Sequence, residues 1–529
     1  MRAAELIMAL IMSACSIGLM VKSSELPIGW IPGEGPGGGA FPFWLAAGML
    51  ICCVCIIVNW VRKIGPIATS GETYMDRTTV ALFVAAAGSL AAMIGLIHFI
   101  GVYFAVPLFI IFYLRFMGRH SWALTGSLAA IIPVVTFLFF EVALHITLPK
   151  GAEVISTEGM SVLPGLWDMH VHLMITGHAD YAYWDKTYPP LFGSVIMPAS
   201  AQQLLMAGVT SARDLGAPLK ESIEVRDAVN SGKIPGPTLY VSGPFIQKKP
   251  YPGTEQFRWG VDGADDARAK VRKLAQAGVD CIKLIDQDQM TMDELRAVVD
   301  EAHAHDLTVV AHSHRPEEIR RGLAVGVDNF EHTGLSTAPE YPPDVIAMIR
   351  ERTAQMNIGP LFWTPTIEGL FNYEYVRDNR EMLDDPSWKV GLPDDIIADI
   401  RQSIQHPDRL PYFQITPARR PTLKHKFTQL REAGVVTLIG TDSGIPMKFH
   451  SQSTWNELDI WVRELGVSPM EAIRAATYWP SVLMKVDDEV GTVSEGKYAD
   501  IIAVRGDVLR YINLLRDVDI VIKHGHRYR

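Results

Sequence analysis

The sequence predicts a multidomain chain: an all-α transmembrane segment followed by an α/β (β/α)8 TIM barrel that carries a small, N-terminally truncated β-sandwich. Three observations predict it. Long apolar runs crowd the first 150 positions, short β-branched runs alternate with amphipathic stretches beyond them, and eight such alternating units can be drawn. The chain has 529 residues, too many for a single core. Residues 1–150 carry eight Lys/Arg against six Asp/Glu, and the remainder 40 against 52, so the two parts also differ in charge. The expected division is a transmembrane domain of four to five spans at 1–150, a partial β-sandwich from 151–163 and 489–529, and a barrel at 164–488.

In chain order, the apolar stretches are residues 4–21, 40–61, 78–97, 99–116 and 122–146, each about the length a bilayer core requires of a helix. Glu5 in the charged region and the spans that follow argue for an anchor over a cleaved signal peptide. Stretches three and four meet at Leu96-Ile-His-Phe-Ile-Gly101 and read either as two helices or as one kinked helix. With five spans and the N-terminus inside, Arg2, Arg62, Lys63, Arg77, Arg115 and Arg119 face the cytoplasm, against Lys22 and Lys150 outside. That arrangement makes the chain a multi-pass protein of the cell inner membrane with everything after Lys150 on the periplasmic side; four spans reverse it. Glu141, inside the last stretch, marks a polar path or pairs with a partner helix. Cys15, Cys52, Cys53 and Cys55 lie in the apolar runs and Cys281 stands alone, which suggests neither a disulfide framework nor a cysteine metal cluster. No basic block interleaved with aromatics occurs and the larger part is acidic, so nucleic acid is not an expected partner.

The loop Pro32-Gly-Glu-Gly-Pro-Gly-Gly-Gly-Ala-Phe-Pro-Phe43, between one span and the next, and the closing Leu148-Pro-Lys-Gly151 resemble the small membrane subunit of tripartite tricarboxylate transporters. The resemblance covers residues 1 to about 151. It implies a lipid-embedded accessory that assists a large permease subunit and an extracytoplasmic solute-binding protein.

After residue 157, strands are expected at 162–172, 209–215, 238–243, 281–285, 308–313, 329–333, 362–367 and 436–441. Helices fit between them; that from Asp265 gathers Ala267, Val271, Leu274 and Ala275 on one face. In a barrel of this kind the chemistry falls at the C-terminal strand ends. Four His-x-His pairs test the idea. On a strand, residues i and i+2 share a face and can meet one metal, whereas on a helix they diverge. His303/His305, ending a helix, fails that test, and His524/His526 belongs to a terminal hairpin. His170/His172 closes the first strand and passes. Lys283, His312, His332 and Asp442 end strands four, five, six and eight, so the set converges on one mouth. His314 is expected to face substrate, as are His178 and Tyr181 in an aromatic-rich segment, 174–191, that could cover the site. Arg419-Arg420 and Lys424-His-Lys426 read as a solvated helix face.

Val162-Leu-Pro-Gly-Leu-Trp-Asp-Met-His-Val-His172, Glu331-His-Thr333, Gly440-Thr-Asp-Ser-Gly444, Ala472-Ile-Arg-Ala-Ala-Thr477 and Gly491-Thr-Val-Ser-Glu-Gly-Lys-Tyr-Ala-Asp500 resemble the imidazolonepropionase-like branch of the amidohydrolase superfamily, over about 152–529. The resemblance implies that His170 and His172 bind one metal with Asp442, that His312 and His332 bind a second, and that Lys283, if carboxylated, bridges them; members with a single ion lack the bridge. The expected cofactor is therefore one or two divalent ions, zinc by preference. The implied activity is hydrolysis of a carbon–nitrogen bond in a small-molecule amide, dipeptide-like or not, with metal-activated water and Asp442 as the catalytic proton carrier. This agrees with the absence of a Gly-x-Ser-x-Gly nucleophile turn. Family members carry further strands before the first His-x-His; here the membrane segment stands in their place. Unpaired sheet edges follow, predicting either lower stability of residues 151–529 or a homodimer that covers them. The alternative function is a transporter accessory with an inactive amidohydrolase-like domain.

Overall fold

The structure, a computed structural model, describes residues 2–24, 28, 30–31, 35–36, 40–63, 77–139, 155–333, 337–355, 358–405 and 411–529. Glu141, Lys150, the segment 148–151 and most of the 32–39 loop lie outside the described residues. Two compact units form, Met1–Ile155 and Ser156–Arg529.

In the first unit, apolar helices run over Arg2–Ser23 (α1), Ala40–Arg62 (α2), Arg77–Ile100 (α3), Val102–Ile111 (α4) and Trp122–Phe137 (α5), with α1 packed on α2. Stretches three and four are two helices. Gly101 separates them at a φ of 76°, a backbone state that a side chain disfavours. Leu6–Ser23, Ala40–Arg62 and Thr79–Ile100 are long and apolar enough to cross a bilayer, and Val102–Met117 and Trp122–Phe137 are shorter apolar helices. Ile51, Phe83, Phe99 and Phe104 are exposed on these helices, the pattern of a surface whose solvent is lipid. The chain is a membrane protein.

The second unit starts with the strands Met160–Pro164 (β1) and Leu166–Val171 (β2). The single strand expected over 162–172 is thus two strands in two sheets. Gly165 makes the break: a Cβ there would collide with the Thr210 side chain, so only glycine lets the chain pass from one sheet to the other. The barrel staves are β2, Val209–Asp214 (β3), Thr238–Val241 (β4), and then, after two short strands at Phe245–Gln247 (β5) and Arg258–Gly260 (β6), Cys281–Leu284 (β7), Thr308–His312 (β8), Asn329–Glu331 (β9), Phe362–Thr364 (β10) and Val436–Thr437 (β11). Their pairing is parallel, and β2, β3, β7 and β9 are buried along their whole length, as strands covered on both faces must be. The ring closes where Asp280 N–H donates to Val241 O and, at the other seam, Met169 N–H donates to Ile439 O and Thr441 N–H to His170 O. The extra pair β5 and β6 joins the sheet at the C-terminal end of β7 through Ile246 and Leu284.

Outer helices obey local rules. Ala264–Gln276 buries Ala267, Val271 and Leu274 and starts with Asp265 and Asp266, which suit the positive end of the helix dipole. Met292–Ala304 opens with a capping box between Thr291 and Glu294. Pro316–Val325 has Pro in its first turn and ends on left-handed Gly326. Below the barrel, β1 pairs with Ile501–Arg505 (β12), which pairs with Ile520–Lys523 (β13), which pairs with His526–Arg527 (β14). The sheet is antiparallel, with β1 an edge that leaves Val162 45% exposed.

Candidate metal centre

The C-terminal ends of the staves bring the imidazoles together. At the end of β2, His170 and, one residue beyond the strand, His172 bring their Nε2 atoms within 3.3 Å of each other. Asp442 Oδ1 lies 3.4 Å from His170 Nε2 and 3.1 Å from His172 Nε2. Across the mouth, His332 Nε2 is 3.1 Å from His312 Nδ1, and the rings of His170 and His332 are 5.0 Å apart. Two donor groups result, each with ligand atoms within 4.8 Å of one another: His170, His332 and Asp442, and His312, His314 and His332. Lys283, wholly buried, stands in the same cavity of about 440 Å³, with no hydrogen-bond partner for its Nζ among the described residues. The Nδ1 atoms of His172 and His314 are likewise buried without a hydrogen-bond partner among the described residues.

Local backbone explains the convergence. His332 and Asp442 both adopt left-handed conformations, at φ 70° and 62°, which turn their side chains off the strand ends; His and Asp are among the residues that tolerate this region best. Gly440 is required by contact, since a Cβ there would strike Thr364 and crowd His170. At Gly444, with φ 99°, a Cβ would come within 2.5 Å of His172 O. Asp168 braces the two walls. Its carboxylate accepts from the backbone N–H of His170 at 3.2 Å and Thr441 at 3.0 Å, and from the hydroxyls of Thr441 and Thr454 at 2.7 and 2.8 Å.

Behind His170, Nδ1–H donates to Glu331 Oε2 at 2.6 Å, which leaves Nε2 bare towards the cavity. Glu331 in turn accepts from Arg213 at 2.8 Å, and Arg213 also donates to Met169 O and Asn329. His332 is held by Thr366 Oγ1 at 2.6 Å from its Nδ1, and by Trp363 Nε1, which donates to its carbonyl. Burial keeps His170, His312, His314 and His332 far below the usual imidazole pKa, so the neutral, ligating form prevails. Burial would raise Asp442, but His170 and His172 hold it at about 2, and it stays ionised. Burial lowers Lys283 to about 8 despite the attraction of Glu331. Clustered lone pairs, an ionised carboxylate and orphaned buried nitrogens are the donor chemistry of a divalent cation such as zinc.

Several sequence expectations change. His314 joins the His312/His332 donor group, its ring 4.0 Å from that of His312. His178 does not line the cavity. Its Nδ1 accepts from the Asp180 N–H, and its ring lies against Tyr183 and Trp184. The 174–191 segment folds as a helix, Tyr181–Thr187, capped by Asp180; Tyr181 and Asp185 reach the cavity, while Trp184 and Tyr188 pack into the core. Arg419 and Lys426 are no solvated face, being only 1% and 2% exposed, with Arg419 in the cavity wall. His303 pairs with Asp328 and His305 with Glu301, outside the barrel. Sequence reasoning gave no role to Asp168, Arg213, Glu331 or Thr366. The available signal was position alone: Asp168 lies two residues before His170 on one strand face, and Glu331 immediately precedes His332.

Comparison with known proteins agrees with this geometry. The amidohydrolase family model matches residues 161–527, and that of the tripartite tricarboxylate transporter TctB family matches residues 2–149. Ochratoxinase from Aspergillus niger is 25% identical over 412 residues, covering 68% of this chain and 74% of its own. A crystal structure of a Xaa-Pro dipeptidase with methionine in its active site superposes with a TM-score of 0.54 at 26% identity, over 72% of this chain and 91% of the other. The crystal structure of A. niger ochratoxinase gives a TM-score of 0.51 at 24% identity, over 70% and 83%, a likeness of fold.

Proposed function

The chain belongs to the amidohydrolase family, and on that premise we propose that this hydrolase cleaves a carbon–nitrogen amide bond of a small molecule, dipeptide-like or otherwise, with metal-activated water. One observation carries the reading: two donor groups share His332 in a single cavity beside the Lys283 Nζ, which has no hydrogen-bond partner among the described residues. His170, His172 and Asp442 would hold one cation, and His312 and His332, joined by His314, a second. Lys283, whose amine pKa burial lowers to about 8, would when carboxylated add an anionic oxygen donor to the same cavity. Bound zinc or a similar ion supplies Lewis acidity, which brings water towards ionisation near neutral pH.

The remaining steps belong to the chain. Asp442 Oδ1, ionised and in reach of both imidazoles, accepts a proton from the attacking water. As oxygen adds to the carbonyl carbon and the carbon–nitrogen bond breaks, the same carboxyl returns that proton to the departing nitrogen. Glu331 and Arg213 keep the His170 ring fixed throughout.

The apolar first unit supports placement in the cell inner membrane as a multi-pass domain, with the barrel on the periplasmic side by the distribution of basic residues and with a large permease subunit and a solute-binding protein as partners. Metal analysis of the purified chain and a hydrolysis screen of N-acyl amino acids, dipeptides and cyclic amides test the enzyme reading. About one or two divalent ions per chain, lost in His170→Ala together with turnover, support it. A folded barrel that stays metal-free defeats it in favour of the accessory role. A topology reporter fused after Lys150 tests the sidedness.

A further inference from the structure

Among the described residues five cations line the cavity, and four have a stated place. Lys283 faces the donor groups; Lys448 pairs with Glu368 at 2.9 Å; Arg315 pairs with Asp286, Asp288 and Glu318 at 2.6–2.8 Å; and Arg419 has partners of its own in the fold. Arg258 is different. It stands on β6, at the end of the added strand pair, where its guanidinium lies 4.6 Å from the Tyr251 ring centre, 4.9 Å from Phe245 and 5.7 Å from Phe257. Its one hydrogen bond among the described residues runs from Nη1 to the neutral Gln247 Oε1 at 3.2 Å, and its buried Nε has no acceptor. Asp185 and Asp286 act on it through space, without an ion pair within 4 Å among the described residues.

A cation part-buried in a cavity wall without a carboxylate partner is expensive, and the expense is recovered when a ligand brings the anion. The aromatic rings hold the guanidinium plane before anything binds, which lowers the ordering cost of a two-point carboxylate contact. They also give an apolar bed for the group that carries the anion.

We propose that Arg258 is the anchor for a carboxylate on the substrate, so that the amides this cavity prefers are acids, such as N-acyl amino acids with a free carboxyl group. This deepens the hydrolase reading and rests on it. The anchor sets specificity: it leaves the reacting bond to the donor groups and holds the far end of the molecule.

The test uses the full chain in detergent, loaded with zinc, and a matched probe pair: N-benzoyl-L-phenylalanine and its C-terminal carboxamide. Wild type is expected to favour the acid about tenfold or more in kcat/KM, mostly through KM, as a charge-assisted hydrogen bond allows. In Arg258→Met that preference falls to near unity, and Arg258→Lys retains part of it. Equal turnover of the two probes by wild type, or a preference that survives in Arg258→Met, overturns the anchor while leaving the hydrolase reading intact. Should neither probe be turned over by zinc-loaded chain, the hydrolase reading suffers, and calorimetric titration still decides the anchor. Binding of the acid that weakens about tenfold in Arg258→Met supports it, and equal binding by the two proteins overturns it.

Discussion

Two sides of the barrel mouth hold imidazoles, and they are supported in different ways. His170 on β2 hydrogen-bonds to a buried carboxylate that is itself locked by Arg213, and the Asp168 brace ties its backbone to the turn bearing Asp442. Across the mouth, His332 leans on the hydroxyl of Thr366, and the carbonyl of His312 accepts from the buried Gln287 side chain. One wall is charged and cross-linked; the other is neutral. The lesson is that the same kind of ring donor can be seated on a charged, cross-linked wall or on a neutral one, and that the difference resides in the groups that hydrogen-bond to each imidazole.

Substitutions at the seat itself set the scale. Asp442→Asn should lower turnover about 10²–10⁴-fold, as loss of a proton carrier does, with the fold kept by circular dichroism. Glu331→Gln attacks the charged wall: metal affinity should fall about 10–100-fold, and the loss of a charged partner for buried Arg213 should cost about 3–5 kcal/mol in a denaturant titration. If Glu331→Gln binds zinc as wild type does, the contrast between the walls has no energetic content. His314→Gln separates ligand from substrate contact. Loss of zinc with little change in KM marks a ligand, and a raised KM at full zinc occupancy marks a substrate contact. Thr366→Val should weaken zinc by about fivefold, the value of one neutral hydrogen bond.

The smallest effect lies outside the mouth. The hydrogen bond from His303 to Asp328 at 2.9 Å raises the His303 pKa above the ordinary imidazole value. A raised pKa in the folded state means the stabilisation is complete below the unfolded value, near 6.5, and disappears as pH rises through the folded one. Both partners are partly exposed, so the slope should amount to less than about 1 kcal/mol. His303→Gln should remove it in pH-dependent thermal unfolding. A larger slope would mean that a helix-end His-x-His does more than hold a surface pair.

Barrel architecture was legible because strand signals are local: β-branched runs such as Val209-Thr and Val309-Val sit where staves form. Contacts made by loops were not. Gly165 gives no sign in sequence that it parts two sheets, since the reason is the Thr210 side chain 45 positions away. Arg419 and Lys426 sit at helical spacing that also suits solvent, and only the packing of neighbouring elements reveals their burial. Glu331 lay next to a candidate ligand, but its role required knowing that β3 sets Arg213 opposite it. The left-handed backbone of His332 and Asp442 is equally silent in composition.

The strand Met160–Pro164 bonds to residues 501–505, over 330 positions later, and the first stave meets the turn that carries Asp442. A ribosome must therefore deliver nearly the whole polypeptide before the base of the barrel can zip shut, and contacts this far apart in sequence form slowly. Nascent chains arrested before residue 501 should hold the early staves with their first strand unzipped. During that interval the cell has a membrane-tethered, half-made enzyme whose open strand edges invite protease or chaperone.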